Sequence, residues 1–178
     1  LTVEFDQSSE PVSIAITGEA LITAAGADPA TTPSSIAAKT LTFDLINGTV
    51  TRARAEGAVD LQGGSDSKDT SGFRMLSDFL DAVFDPNLGS LLNVEGQGAI
   101  HVTDQGMKSD GARTTLDPNT DIVTLTGDEG LPASASWMGR RIDARQIQAD
   151  RGKKTLSANG GVRVSFEPQQ DAGSSENQ

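Results

Sequence analysis

AKTLTFDLINGTVTRARAEGAVDL, residues 38–61, carries the pattern that decides the fold. Leu41, Phe43 and Leu45 alternate with Thr40, Thr42 and Asp44, so an extended chain here is apolar on one face and polar on the other. Asn47–Gly48 follows, the two-residue hairpin signal, because a type I′ turn needs positive φ at both central positions. A second alternating run reaches Gly57 and continues through Val59 and Leu61. Asn47–Gly48–Thr49 also spells a glycosylation sequon, but the alternation on either side already demands a turn there. The same unit recurs at Ser109–Gly130 (SDGARTTLDPNTDIVTLTGDEG) and Ala144–Phe166 (ARQIQADRGKKTLSANGGVRVSF). Its turns are Asp117–Pro118–Asn119 and Arg151–Gly152, and Gly127 and Gly160 stand where Gly57 stands. One hairpin cannot bury its apolar face alone, so stacked copies are expected to form paired sheets around an apolar interior.

Outward from these repeats, residues 1–27 read as two further strands, with Val12, Ile14 and Ile16 on one face. Asp28–Ser35 is a Pro- and Ser-rich loop, and Gly63–Thr70 a flexible linker. The next segment departs from period two. Phe73, Leu76, Leu80, Val83 and Phe84 fall at helical spacing, with Ser71 as a cap and Pro86 as a stop. This predicts a helix over about 71–85, within an insertion spanning 64–93. That helix has two readings: a lid over an open end of the sandwich, hinged at Gly63–Gly64 and Gly89, or a cover over core that short sheets leave exposed. Alternation returns at Val94–Thr103 with Ile100 and Val102. Residues 167–178 carry too little apolar surface to fold and are expected to be a disordered tail. The expectation is an all-β jellyroll or sandwich of stacked antiparallel hairpins, one domain over 1–166, with one inserted helix.

Composition narrows the function classes. The 178-residue chain has no Cys, no Tyr and 4% aromatic residues. That excludes a disulfide scaffold and a Cys zinc site. It also argues against a carbohydrate-processing enzyme, which needs aromatic platforms beside paired carboxylates. The net charge of −11 argues against nucleic acid as a partner. No apolar run is long enough for a membrane-spanning helix. Leu1 is not an initiator Met, so a preceding segment is expected to have been removed. His101, the single histidine, has no second histidine for a metal site. Asp117–Asp121 is oxygen-rich but lacks the Gly and distal Glu of a calcium loop, and reads as a turn. No catalytic residue, metal site or cofactor is expected.

The stretch from about Gly98 to Phe166 resembles the OstA-like family of lipopolysaccharide-transport periplasmic proteins (A/C type). The likeness rests on Ser109–Asp110–Gly111–Ala112, Leu116–Asp117, Asp121–Ile122–Val123–Thr124–Leu125–Thr126–Gly127, Gln146–Ile147–Gln148–Ala149–Asp150 and Thr155–Leu156–Ser157–Ala158–Asn159–Gly160–Gly161–Val162. Residues 36–62 fit one more degenerate copy. The resemblance implies a jellyroll whose greasy interior carries lipid A acyl chains toward the outer membrane of a Gram-negative envelope. It implies a periplasmic scaffold, soluble or tethered through a missing N-terminal segment. It also implies lipopolysaccharide and other jellyrolls of a transport bridge as partners, joined through sheet edges, with homo-oligomers possible by the same contact.

On this reading the interior face comprises Leu41, Phe43, Val59, Leu61, Ile100, Val102, Val123, Leu125, Leu156, Val162, Val164 and Phe166. Phe73, Leu76, Leu80, Val83 and Phe84 form the lid helix. Residues 139–166 carry seven Lys or Arg against two Asp, whereas residues 1–138 carry seven against twenty acidic groups. Within this basic stretch Arg140, Arg141, Arg145, Lys153 and Lys154 are the phosphate or head-group candidates, and Arg151 belongs to it too. Trp137, the sole Trp, lines the groove or caps a sheet edge. The alternative is a structural or adhesive β-repeat module without lipid binding, in which the same apolar residues fill a closed core.

Overall fold

The computed structural model describes residues 1–24, 34–63, 73–88, 90–104 and 106–166. Among the described residues, thirteen strands pair antiparallel in one continuous sheet. They are β1 (Thr2–Phe5), β2 (Pro11–Ala24), β3 (Ser34–Ile46), β4 (Thr49–Gln62), β5 (Arg74–Phe84), β6 (Leu91–Asp104), β7 (Met107–Asp117), β8 (Ile122–Thr126), β9 (Ala133–Trp137), β10 (Arg140–Ala144), β11 (Gln146–Asp150), β12 (Thr155–Asn159) and β13 (Arg163–Phe166). Asn47 (φ 50°) and Gly48 (φ 75°) make the β3–β4 turn, both left-handed as a type I′ turn requires.

The sheet is creased. Every ladder from β2–β3 to β6–β7 slips register at one level: between Thr17 and Ala20, Ala37 and Thr40, Glu56 and Val59, Leu76 and Phe79, and Gln97 and Ile100. The extra residue at each shift lies on β2, β4 or β6, where Gly18, Gly57 and Gly98 have positive φ, and β3 and β5 lie between these aligned bulges, which sharpen the local twist along a common line. The recurring glycines of the sequence lie on that line. Gly57 has φ +77°, and a Cβ there would sit 2.9 Å from Lys39 Cδ. At Gly160, with φ +78°, it would sit 2.8 Å from the Arg145 Cβ. The crease therefore asks for glycine twice over, by backbone conformation and by a side chain lying across it.

Two leaves result. Leaf one holds the stretches of β2–β7 on one side of the crease together with β8, β11 and β12. Leaf two holds their other stretches with β9, β10 and β13. The division occurs at β7, where residues 113–117 pair with β8 and residues 108–110 pair with β9. The inner faces meet in a core of Leu41, Leu80, Leu125 and Ile147 from leaf one and Val59, Ile100 and Ala135 from leaf two. Alanines crowd the crease itself, among them Ala20, Ala38, Ala133 and Ala144, all buried. Small side chains there let the leaves approach closely, while larger ones fill the space as the leaves diverge. The outer face is polar and carries cross-strand ion pairs: Arg52 with Asp81, Arg54 with Asp44 (3.1 Å) and Arg74 with Asp60 (2.7 Å).

The expected helix over 71–85 is instead β5, a strand paired on both sides, to β4 and β6. The crease explains the misleading spacing. Inward residues run Phe73, Met75 and Ser77, then resume past the crease at Leu80, Ala82 and Phe84. This switch of face, opposite the extra residues of β4 and β6, spaces Phe73 and Leu80 by seven and Leu80 and Phe84 by four, which is also helical spacing. Leu76 and Val83 lie on the outer face, opposite Asp60 and Arg52. No helix occurs among the described residues. The expected linker over 64–70, the Ser71 cap, the Gly89 hinge and the 167–178 tail lie outside the described residues.

Candidate functional site

Nine of the twelve expected interior residues lie on the inner face, buried or half-buried: Leu41, Phe43, Val59, Leu61, Ile100, Val102, Val123, Leu125 and Leu156. The other three need correction. Val162 precedes β13 and is half exposed. Val164 and Phe166 share the inward face by register, opposite Ile142 and Arg140, but are 51% and 70% exposed. β13 pairs only with β10, so among the described residues nothing packs over these side chains.

Toward the C-terminal end the leaves part around a cavity of ≈ 850 Å³. Val123, Leu125, Ala149 and Leu156 wall it from leaf one, and Phe73, Val102 and Met107 from the side of leaf two. Trp137, Met138 and Ile142 also line it, so the single Trp faces this space. Its far rim, away from the crease, is built from turns. Asp104 ends β6, Gly106 comes from the β6–β7 turn, Asp121 from the β7–β8 turn, and Arg151 and Lys154 from the β11–β12 turn. An apolar trough with a charged lip is suited to an amphiphile: methylenes inside gain about 0.8 kcal/mol each, while a polar group stays at the surface.

The lip is organised by its own carboxylates. Asp117 Oδ1 accepts from the Asn119 N–H (2.8 Å), which with the Thr120 hydroxyl holds this carboxyl below the ordinary carboxylate value. Asp150 accepts from Lys153 Nζ (2.8 Å) and the Lys153 N–H (2.8 Å), which lowers its pKa and raises that of Lys153. Arg151 donates through Nε to Asp104 (3.1 Å) and through Nη1 to Asp121 (3.4 Å), and its guanidinium lies 5.7 Å from the Phe73 ring centre.

The head-group candidates scatter. Arg141 is paired with Asp143 (2.9 Å), Arg145 covers Gly160 at the crease, and Arg140 is exposed at the start of β10. Lys153 is tied to Asp150, and Lys154 lines the cavity. Arg151 is the cation that alternation alone could not single out, because its position depends on where three separate turns converge. His101 Nδ1 lies 2.6 Å from Asp110 Oδ1, and Ser134 Oγ donates to the other Asp110 oxygen (3.2 Å). The carboxylate stands between the other two, so this is not the order that activates a serine. No cluster of three or more metal-ligating side chains occurs among the described residues.

No protein-family model matches the chain, and no curated protein matches it. Among solved structures, the fold is similar to that of LptH, the LptA homologous periplasmic component of the conserved lipopolysaccharide transport device from Pseudomonas aeruginosa. The identity is 14%, covering 76% of this chain and 96% of that one, with a TM-score of 0.59. The two chains share a fold.

Proposed function

We propose that this chain is a periplasmic scaffold that carries lipopolysaccharide toward the outer membrane, with acyl chains of lipid A between the two leaves. The observation that carries this reading is the apolar cavity of ≈ 850 Å³ with a charged lip, set in a fold shared with a lipopolysaccharide-transport component. No chemistry is required of the chain; it shields methylenes and lets them leave, which makes it a binding scaffold rather than an enzyme. The inner-face residues Leu125, Val123, Val102 and Leu156 contact the chains in this reading, and Lys154 and Arg151 meet the anionic groups outside.

Partner jellyrolls join through the sheet edges. β1 ends the sheet on one side, and β12 and β13 end the two leaves on the other. Val3 and Phe5 on β1, Leu1 just before it, and Val164 and Phe166 on β13 are exposed apolar side chains beside unpaired strand edges, a combination that favours strand addition. Native mass spectrometry of the protein with lipopolysaccharide tests both parts. The expected spectrum holds a lipopolysaccharide adduct that deacylated lipopolysaccharide does not give, and an oligomer ladder that grows with protein concentration. Equal binding of the deacylated form removes the acyl-chain reading, and a strictly monomeric ladder removes the edge reading.

A further inference from the structure

Arg151 occupies an unusual place. It belongs to the β11–β12 turn of leaf one, and its backbone N–H donates to the Asp121 carbonyl of the same leaf (3.0 Å). Its side chain leaves that leaf. The guanidinium bonds Asp104 at the end of β6 and lies over Phe73 just before β5, both in leaf two. Asp104 is only 14% exposed, and Arg151 35%. Phe73 and Asp104 both line the cavity, so this contact crosses its mouth.

The mouth is also where the leaves are least constrained. β2 to β6 run through the crease unbroken. Beyond β7 the chain is interrupted there, between β8 and β9, at Arg145 between β10 and β11, and at residues 160–162 between β12 and β13. The backbone hydrogen bonds there, from the Gly127 N–H to the Arg145 carbonyl (2.9 Å) and from the Arg145 N–H to the Gly160 carbonyl (2.7 Å), run along the crease as continuations of the β8–β11 and β11–β12 ladders of leaf one, and do not tie leaf to leaf. Closure of this end of the trough then depends on what joins the leaves at the far rim, and Arg151 does so.

We propose that Arg151 is an exchangeable clip: it holds the leaves together through Asp104 when the cavity is empty, and takes the phosphate of an entering phosphorylated amphiphile in Asp104's place. Guanidinium suits the exchange, since its fork binds carboxylate and phosphate alike. Lys154 lies on the same rim and makes no ion pair among the described residues, so a second cation meets the incoming phosphate. The exchange also explains why Arg151 sits between two carboxylates, Asp104 and Asp121: they hold it until a stronger anion arrives with a chain attached.

The inference rests on the cavity reading above, and Trp137 provides a test that separates the two. The probes are a dibrominated-acyl lysophosphatidic acid and the matching dibrominated monoacylglycerol, both quenchers of Trp137 and differing only in the phosphate. The wild-type protein is expected to bind the phosphorylated probe roughly tenfold tighter. Arg151→Gln removes that preference, and Asp104→Asn keeps it. Both variants open the clip, so both bind the neutral probe more tightly than wild type. Arg151→Lys, a point charge, retains part of the preference and serves if Arg151→Gln does not fold. A preference that survives in Arg151→Gln, or neutral binding unchanged in both variants, overturns the clip while leaving the cavity reading intact. Loss of the preference on adding inorganic phosphate at probe concentration assigns the site to a free anion and also overturns it. If neither probe quenches Trp137, the cavity reading falls and the clip with it.

Discussion

β2–β6 and β8–β13 solve the same folding problem in different ways. The first group turns the crease within single unbroken strands, with the extra residues on β2, β4 and β6. The second group turns it by interruption, with six short strands standing in for three long ones. The first group's interior is filled by Leu41, Ala55, Leu80 and Val94, all buried. The second group surrounds most of the cavity. A strand that passes through the crease ties both leaves into one ladder on each side, whereas an interrupted one gives each leaf its own short ladder. Rigidity and capacity are therefore held in separate parts of one sheet.

The sharpest way to break this contrast is to remove part of the rigid half. Deleting residues 73–84 takes out β5, which pairs along both edges. The expected outcome is complete loss of the cooperative thermal transition, with aggregation; a cooperative melt near the wild-type temperature would show that the unbroken strands do not hold the fold.

A smaller effect separates filled core from cavity wall. Leu41→Ala, at a side chain 2% exposed, should cost about 2–5 kcal/mol in urea unfolding. Leu156→Ala removes a half-buried side chain that already faces open space, and should cost under about 1.5 kcal/mol while weakening acyl-probe quenching of Trp137. Equal costs at the two sites would mean that the two halves are packed alike.

The legibility of the sequence follows the same division. Alternation around Asn47–Gly48 and the recurrent Gly57, Gly127 and Gly160 made the hairpins and their stacking readable, because period two and left-handed turns are local properties. The crease was visible only as punctuation. Its meaning depends on bulges aligning across neighbours, which no single strand declares. That is why Phe73, Leu80 and Phe84 read as one face of a helix. Val164 and Phe166 alternate correctly yet remain exposed, since a register cannot say whether anything lies opposite an edge. The cavity and Arg151 were unreadable for a further reason: the rim is assembled from turns up to 47 residues apart, as the Arg151–Asp104 pair illustrates.

The smallest expected effect is electrostatic. Arg74 holds the Asp60 carboxyl below its ordinary value of 3.8 in the rigid half, and the Lys153 and Asn119 donors do the same for Asp150 and Asp117 in the turns of the other. A carboxyl whose pKa is depressed by folding contributes in full above the unfolded value and loses that contribution as pH falls through the folded one. The melting temperature should therefore be flat from pH 7 to about 5 and decline below about 4. Asp60→Asn should flatten part of that decline, and an unchanged acid profile in this variant would remove Asp60 from the account.

Because the bend is made separately in each strand, the cross-section of the trough does not depend on how many strands there are. Neighbouring strands lie about 4.8 Å apart, so each hairpin lengthens the trough by about 10 Å. Its width is set at the crease, and its length by counting hairpins. Such a molecule can be shortened, extended or continued by a neighbour without redesigning the surface its cargo touches, in the way that a gutter is cut to length from a single profile.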